Sequence, residues 1–249
     1  MLTHYLDGSR RPNTGYFSRV TSDAGDPTPT EVLIIDDHRM LAEALAIVLD
    51  SEDDLHVVGV AASLAEGLSV VRSRRVDVVL LDYRLPDASG LDGVSMIREI
   101  SPNAAVIMIT AVEDEGLLLA AVEAGCAGFV AKSADLRQIH VAVKHAAAGE
   151  AAIQPKLLAS LLGRLARRRT DLPHDLTPRE REVLVLISHG HSNAEIAERL
   201  VLSVNTIRNH VQSLLGKLGA HSKLEAAAIG VREGLIDPHS RLGTDPRPR

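Results

Sequence analysis

The sequence predicts a doubly wound α/β domain followed by a smaller all-α domain, and three observations carry that reading. Between residues 31 and 149, five short apolar runs alternate with five helix-length amphipathic segments. After Leu176 no strand-like run follows, and helix-start signals recur instead. The charge divides at the same place: residues 31 to 149 carry a net −10, residues 150 to 249 a net +4, and residues 1 to 30 are balanced.

The apolar runs are Val32–Ile35, Val57–Ala61, Val76–Leu81, Ala105–Ile109 and Gly128–Ala131. A strand covered on both faces by helices has no polar side and reads as a continuous apolar run, so these runs predict a parallel sheet. The segments between them are Met40–Asp50, Ser63–Arg74, Leu91–Ile100, Glu113–Ala124 and Asp135–Ala148. Such βα units place the functional crevice at the carboxyl ends of the strands. Residues 1 to 30 hold Gly, Pro, Ser, Thr and Asp without apolar periodicity, and Asp26-Pro27-Thr28-Pro29 breaks the chain; a disordered tail is expected there and at 237–249. Residues 150–175 read as a semi-ordered linker, with a short helix at Leu157–Leu165 closed by Arg167-Arg168-Arg169 and then by Pro173.

Helix starts dominate the second half. Thr177-Pro178-Arg179-Glu180 is a capping box with Pro at the first helical position. Ser192-Asn193-Ala194-Glu195 and Ser222-Lys223-Leu224-Glu225 read as two more, and Ser203 as the N-cap of a helix running to Leu218. A capped helix, a tight turn and a second capped helix is helix-turn-helix geometry. In the second of these helices Ile207, Val211, Leu214, Leu215 and Leu218 share an apolar stripe, while Asn205, Arg208, Asn209 and Gln212 fall on the other face. Arg can read guanine in the major groove, and Asn or Gln can read adenine.

Composition narrows the class. Hydrophobic residues make up 45% of the chain but aromatics only 2%, so the core must be aliphatic. The one cysteine, Cys126, allows no internal disulfide and reads as a small buried hydrophobe. No apolar run approaches the length needed to span a bilayer, and no signal-peptide core opens the chain, so no membrane partner and a cytoplasmic location are expected. His189 and His191 flank Gly190 without finger-like spacing to further ligands and read as loop residues.

The chemistry lies at the strand ends. The first run ends in Asp36-Asp37, the third in Asp82 and the fourth in Thr110, and the fifth is followed by Lys132. Three carboxylates converging on one rim repel each other and require a cation. Hard oxygen ligands favour Mg²⁺. A carboxylate beside Mg²⁺, an ammonium and a hydroxyl is equipped for phosphoryl transfer.

These residues, with Leu81-Asp82-Tyr83-Arg84-Leu85-Pro86, Ile109-Thr110-Ala111 and Gly125-Cys126-Ala127-Gly128-Phe129-Val130-Ala131-Lys132, resemble the flavodoxin-like receiver domain of two-component response regulators over residues 31–149. The resemblance implies Asp82 as phospho-acceptor, with Asp36, Asp37, Asp82 and the backbone carbonyl of Arg84 holding Mg²⁺. It also implies that Thr110 and Lys132 bind the phosphoryl group and that Phe129 is the switch aromatic, without the hydroxyl of the common Tyr. The haloacid-dehalogenase phosphatases also form a phospho-aspartate, but they need a second Asp where Arg84 stands; the chain is expected to be an acceptor with slow autodephosphorylation at most, not an enzyme. Residues 176–236 resemble the LuxR-type helix-turn-helix of the NarL/FixJ regulators. That implies a scaffold helix at Ser192–Leu200 and a recognition helix at Val204–Leu218. It further implies that Arg208, Asn209 and Gln212 face the groove, that Lys217 lies near the DNA backbone, and that a last helix at Lys223–Glu233 forms a dimer face. The implied function is a phosphorylation-controlled transcription regulator. Its implied partners are a sensor histidine kinase, promoter DNA, a second copy of the chain and RNA polymerase. The same architecture working without phosphorylation, and a protein-interaction adaptor, are the alternatives.

Overall fold

The computed structural model describes residues 28–111, 115–166 and 175–237. The expectations for most of the two tails, for Arg167-Arg168-Arg169 and for Pro173 lie outside the described residues.

Five parallel strands form one sheet in the order β2-β1-β3-β4-β5. They are β1 (Thr30–Ile35), β2 (Leu55–Ala61), β3 (Val78–Asp82), β4 (Ala105–Thr110) and β5 (Gly128–Ala131). Helices α1 (Arg39–Asp50), α2 (Leu64–Ser73), α3 (Gly90–Ile100), α4 (Glu115–Glu123) and α5 (Leu136–Ala147) follow the strands in turn. The central strands are sealed on both faces: Val32–Ile35 and Val78–Leu81 have no exposed surface. One apolar cluster holds Val32, Ile34, Leu80 and Ile107 against α1 and α5; the other holds Leu33, Ile35, Leu81 and Met108 against α2, α3 and α4. Ser63, Ser89 and Asp135 cap α2, α3 and α5, each accepting a hydrogen bond from a backbone N–H three residues on.

The stretch read as a linker is built into the fold. Ala152 pairs in parallel with Gly128 at the outer edge of β5, its carbonyl accepting from Phe129 N–H at 2.8 Å. Gly128 permits this approach, because a Cβ there would collide with the Ala152 backbone. Helix α6 (Pro155–Leu165) then buries Leu158, Leu161, Leu162 and Leu165. It packs on both α4 and the helices that follow.

Those helices are α7 (Pro178–Ser188), α8 (Asn193–Leu200), α9 (Val204–Leu218) and α10 (Lys223–Arg232). Capping boxes start α7 and α8 as the spacing predicts. The third box does not close. Ser222 accepts from Glu225 N–H, but the Glu225 carboxylate accepts from His221 N–H at 2.7 Å instead of from its own N-cap. Val201, in the α8–α9 turn, has φ 54° and is the one non-glycine with positive φ among the described residues.

Candidate functional site: an acidic rim and an exposed helix

The parallel sheet brings the ends of β1, β3, β4 and β5 to one rim, and the rim collects Asp36, Asp37, Asp82, Thr110 and Lys132. Asp36 and Asp82 are each 3% exposed. Lys132 reaches between them, donating to Asp82 Oδ2 at 2.6 Å and lying 3.0 Å from Asp36 Oδ2. Its own backbone N–H donates to the Thr110 carbonyl at 2.9 Å, which fixes where its side chain starts. Asp37 lies further out, with its Oδ1 2.8 Å from His38 Nδ1. His38 also lies 3.1 Å from Asp36 Oδ1, so the imidazole joins the cluster. Arg84 donates its backbone N–H to Asp82 Oδ1 at 3.3 Å. Phe129 is buried in β5, paired with Met108.

Environment separates the two buried carboxylates. For Asp36 burial works against ionisation, but the His38 backbone N–H and the Lys132 ammonium outweigh it and hold its carboxyl below the usual range. For Asp82 burial wins: its carboxyl lies above the usual range despite Lys132, and the neighbouring Asp36 charge adds to the rise. Burial would lower the Lys132 ammonium, but Asp82 and Asp36 keep it above its ordinary value. The same rim therefore pushes its two buried carboxyls in opposite directions, Asp36 down and Asp82 up. Asp36, Asp37, His38 and Asp82 each offer a ligand atom, all within 4.8 Å of one another. Carboxylates so close, with Lys132 as the ammonium among them, fit a hard divalent cation of the Mg²⁺ type.

The second half presents a different surface. On α9, Ile207, Val211, Leu214 and Leu218 are buried, and Asn205, Arg208, Asn209 and Gln212 are exposed side by side. Lys217 is placed differently from its neighbours. Its ammonium bonds Glu180 Oε2 at 2.7 Å, within the domain. The last helix differs most from expectation: nine residues of α10, Lys223 to Val231, are buried inside the chain. They pack against α4, α6, α7 and α9. Polar contacts across this seam include the buried Lys223–Glu150 ion pair, Ser222 Oγ donating to the Cys126 carbonyl at 3.1 Å, and Asn193 N–H donating to Glu150 at 2.8 Å. Arg232 adds a looser ion pair to Glu123 at 3.6 Å. Cys126 is fully buried there, donating to the Gly128 carbonyl at 2.9 Å, and burial pushes its thiol up to about 11.

A doubly wound sheet with an acidic rim and a following lysine, joined to a helix-turn-helix, defines a response regulator: a regulatory receiver coupled to a DNA-binding unit. The comparisons agree. Residues 32–144 match the family described as "Response regulator receiver domain", and residues 174–229 match "Bacterial regulatory proteins, luxR family". The Response regulator protein VraR of Staphylococcus aureus is 30% identical over 206 residues, covering 83% of this chain and 98% of that protein. A LuxR-family response regulator structure from Aurantimonas sp. SI85-9A1 is 25% identical with TM-score 0.51, over 55% of this chain and 98% of that one. The RcsB response regulator of Salmonella typhimurium shares the fold at 23% identity and TM-score 0.50, over 80% of this chain and 97% of that one.

The chain belongs to the luxR family of two-component response regulators, with a receiver domain and a LuxR-type DNA-binding domain. It is a transcription regulator in class, not a classical enzyme. Among the described residues no helix is long and apolar enough to cross a membrane.

Proposed function

We propose that Asp82 accepts a phosphoryl group from a sensor histidine kinase and that this event controls how the helix-turn-helix engages promoter DNA. The observation that supports it best is the convergence of Asp36, Asp37, Asp82 and Lys132 on one rim. In the transfer, an Asp82 oxygen attacks phosphorus, a P–O bond forms, and the P–N bond to the kinase imidazole breaks, with the imidazole leaving protonated from solvent. Lys132, freed from its contact with the carboxylate, pairs with a phosphoryl oxygen, and the Thr110 hydroxyl donates to another. Asp36, Asp37, Asp82 and the carbonyl of Arg84 would hold Mg²⁺, which when bound neutralises the transferring oxygens.

Residues 31–149 act as the receiver and 176–236 as the DNA-binding unit, with Asn205, Arg208, Asn209 and Gln212 meeting base edges. The packed seam suggests the coupling. Since α10 is buried in the chain, a dimer through that helix requires the seam to open, and the base-reading face of α9 is exposed before it does. Phosphorylation then shifts a closed-to-open equilibrium through Thr110 and Phe129, the latter bonded through its backbone to Ala152 at the root of α6.

Incubating the chain with acetyl phosphate and Mg²⁺ and measuring intact mass tests the first step. The wild type gains one phosphoryl mass, and Asp82→Asn gains none. Equal incorporation in the two removes Asp82 from the role.

A further inference from the structure

Helix α9 is held from two sides. Its apolar stripe, Ile207, Val211, Leu214 and Leu218, packs into the domain. Ser213 and Lys217, one turn apart, project from another side of the helix toward the start of α7. Both end on the same carboxylate. Ser213 Oγ donates to Glu180 Oε1 at 2.7 Å, and Lys217 Nζ donates to Glu180 Oε2 at 2.7 Å. The carboxylate is itself fixed, because Thr177 N–H donates to Oε2 at 2.8 Å and closes the capping box of α7. Glu180 is 3% exposed. Burial pushes its carboxyl up, but the bonds from Lys217, Ser213 and Thr177 outweigh this and hold it down at about 2.

A stripe of Leu, Ile and Val holds the helix to the domain and resists large rotations, which would expose it, but small changes of roll leave most of its area buried. Two hydrogen bonds to a buried, anchored carboxylate are directional. The Ser213–Lys217 side lies roughly a third of a turn from the Asn205–Arg208–Asn209–Gln212 face on a helix of about 3.6 residues per turn. Locking one sets the aim of the other.

We propose that Glu180 is a positioning residue for DNA recognition: through Ser213 and Lys217 it sets the roll of the recognition helix, and it withholds the Lys217 ammonium from the DNA backbone. The proposal rests on the reading that α9 meets DNA. It replaces the expectation that Lys217 contacts phosphate with a role inside the domain.

The test uses the full chain with acetyl phosphate and Mg²⁺ present, a random-sequence duplex, and the duplex enriched by the chain from a random pool. Glu180→Gln keeps a side chain able to close the capping box but removes the charge that holds Lys217. In Glu180→Gln the slope of log affinity against log salt should steepen by about 0.9, the value of one added phosphate contact. Preference for the enriched duplex should fall about tenfold, the loss expected when one good base contact is mis-aimed. Lys217→Gln alone should leave the slope as in wild type, and Glu180→Gln/Lys217→Gln should restore it. A shallower slope in Lys217→Gln alone overturns the proposal, because Lys217 would then be binding phosphate with Glu180 in place. A DNA-free measurement runs beside this one. Amide exchange in residues 213–218 should quicken in Glu180→Gln and, to a smaller degree, in Ser213→Ala, with α8 unchanged; unchanged α9 exchange in both variants also overturns the proposal. A wild-type chain that binds no duplex at any salt overturns the DNA reading itself, and the exchange result tells the two failures apart.

Discussion

Removing the Glu150 carboxylate should open the seam between the receiver and α10 without any phosphoryl group. Lys223 has a side chain 1% exposed and Glu150 one 12% exposed, and the two form an ion pair on the seam. Glu150 also accepts the backbone N–H of Asn193. Glu150→Ala therefore strands a buried ammonium and an amide donor together. Burial already lowers the Lys223 ammonium, with Glu150 opposing that, so the loss falls on the charge that Glu150 compensates among the described residues. Breaking a buried pair from one side costs about 3–5 kcal/mol. At about 1.4 kcal/mol per factor of ten, this shifts the closed-to-open equilibrium by about two to three and a half orders of magnitude. The assay is sedimentation velocity on the unphosphorylated chain over a concentration series. Glu150→Ala should dimerise at concentrations at least tenfold below wild type. The double variant Glu150→Leu/Lys223→Met, which replaces the pair by apolar groups, should return to wild-type behaviour or close more tightly. If Glu150→Ala remains a folded monomer at every concentration at which phosphorylated wild type dimerises, the seam does not govern assembly and the coupling argument fails.

Other consequences are open to measurement. Gly128→Ala drives a methyl into the Ala152 backbone and should cost about 1–3 kcal/mol in urea unfolding, as overpacking does; no change in midpoint would mean the edge pairing is dispensable. Val201 holds a β-branched side chain in the left-handed region while 89% exposed, so Val201→Asn should stabilise the helix-turn-helix by about 1 kcal/mol. A loss of stability there would show that the Val201 side chain makes a contact outweighing the strain. Glu180 has a folded-state pKa of about 2 against an ordinary 4.5, so its contribution is complete above pH 4.5 and disappears as pH falls through 2. Over that window the wild type should lose about 3 kcal/mol that Glu180→Gln does not lose, and parallel acid-stability curves for the two would refute the assignment.

The elements with a local signature were legible in the sequence. Gly128–Ala131 is predicted and found at the same residues, and the other strands differ only by a residue or two at their ends. The rim residues could be placed because strand ends in a parallel sheet converge, so position along each run located every side chain. What escaped is what depends on distant parts of the chain. The helix at Leu157–Leu165 is predicted and found as α6, but not its packing on α4, α7 and α10, although Leu158, Leu161, Leu162 and Leu165 recur at the spacing of a buried face. Helix α10 is apolar on nearly every side, with Leu224, Ala226, Ala227, Ala228, Ile229 and Val231 all buried. A helix with so little polar face must be covered on more than one side, which a two-fold contact alone does not do. The Lys217–Glu180 bond spans 37 positions and leaves no periodic trace, so Lys217 is read from the sequence only by resemblance, as lying near the DNA backbone. Glu225 looked like a capping residue because its spacing from Ser222 is right, but its carboxylate turns to His221 and lies 4.0 Å from Arg98.

A parallel sheet has two open margins, each a row of unpaired amide groups able to recruit a strand from another molecule. Ala152, paired along β5, closes one of them with residues that a cut at the receiver's apparent end would discard. A fragment ending at Gly149 would uncover the Phe129 amide and the β5 margin together, and would be prone to self-association through that edge. The segment that carries α6 away from the receiver is thus also the one that keeps the sheet from finding a neighbour.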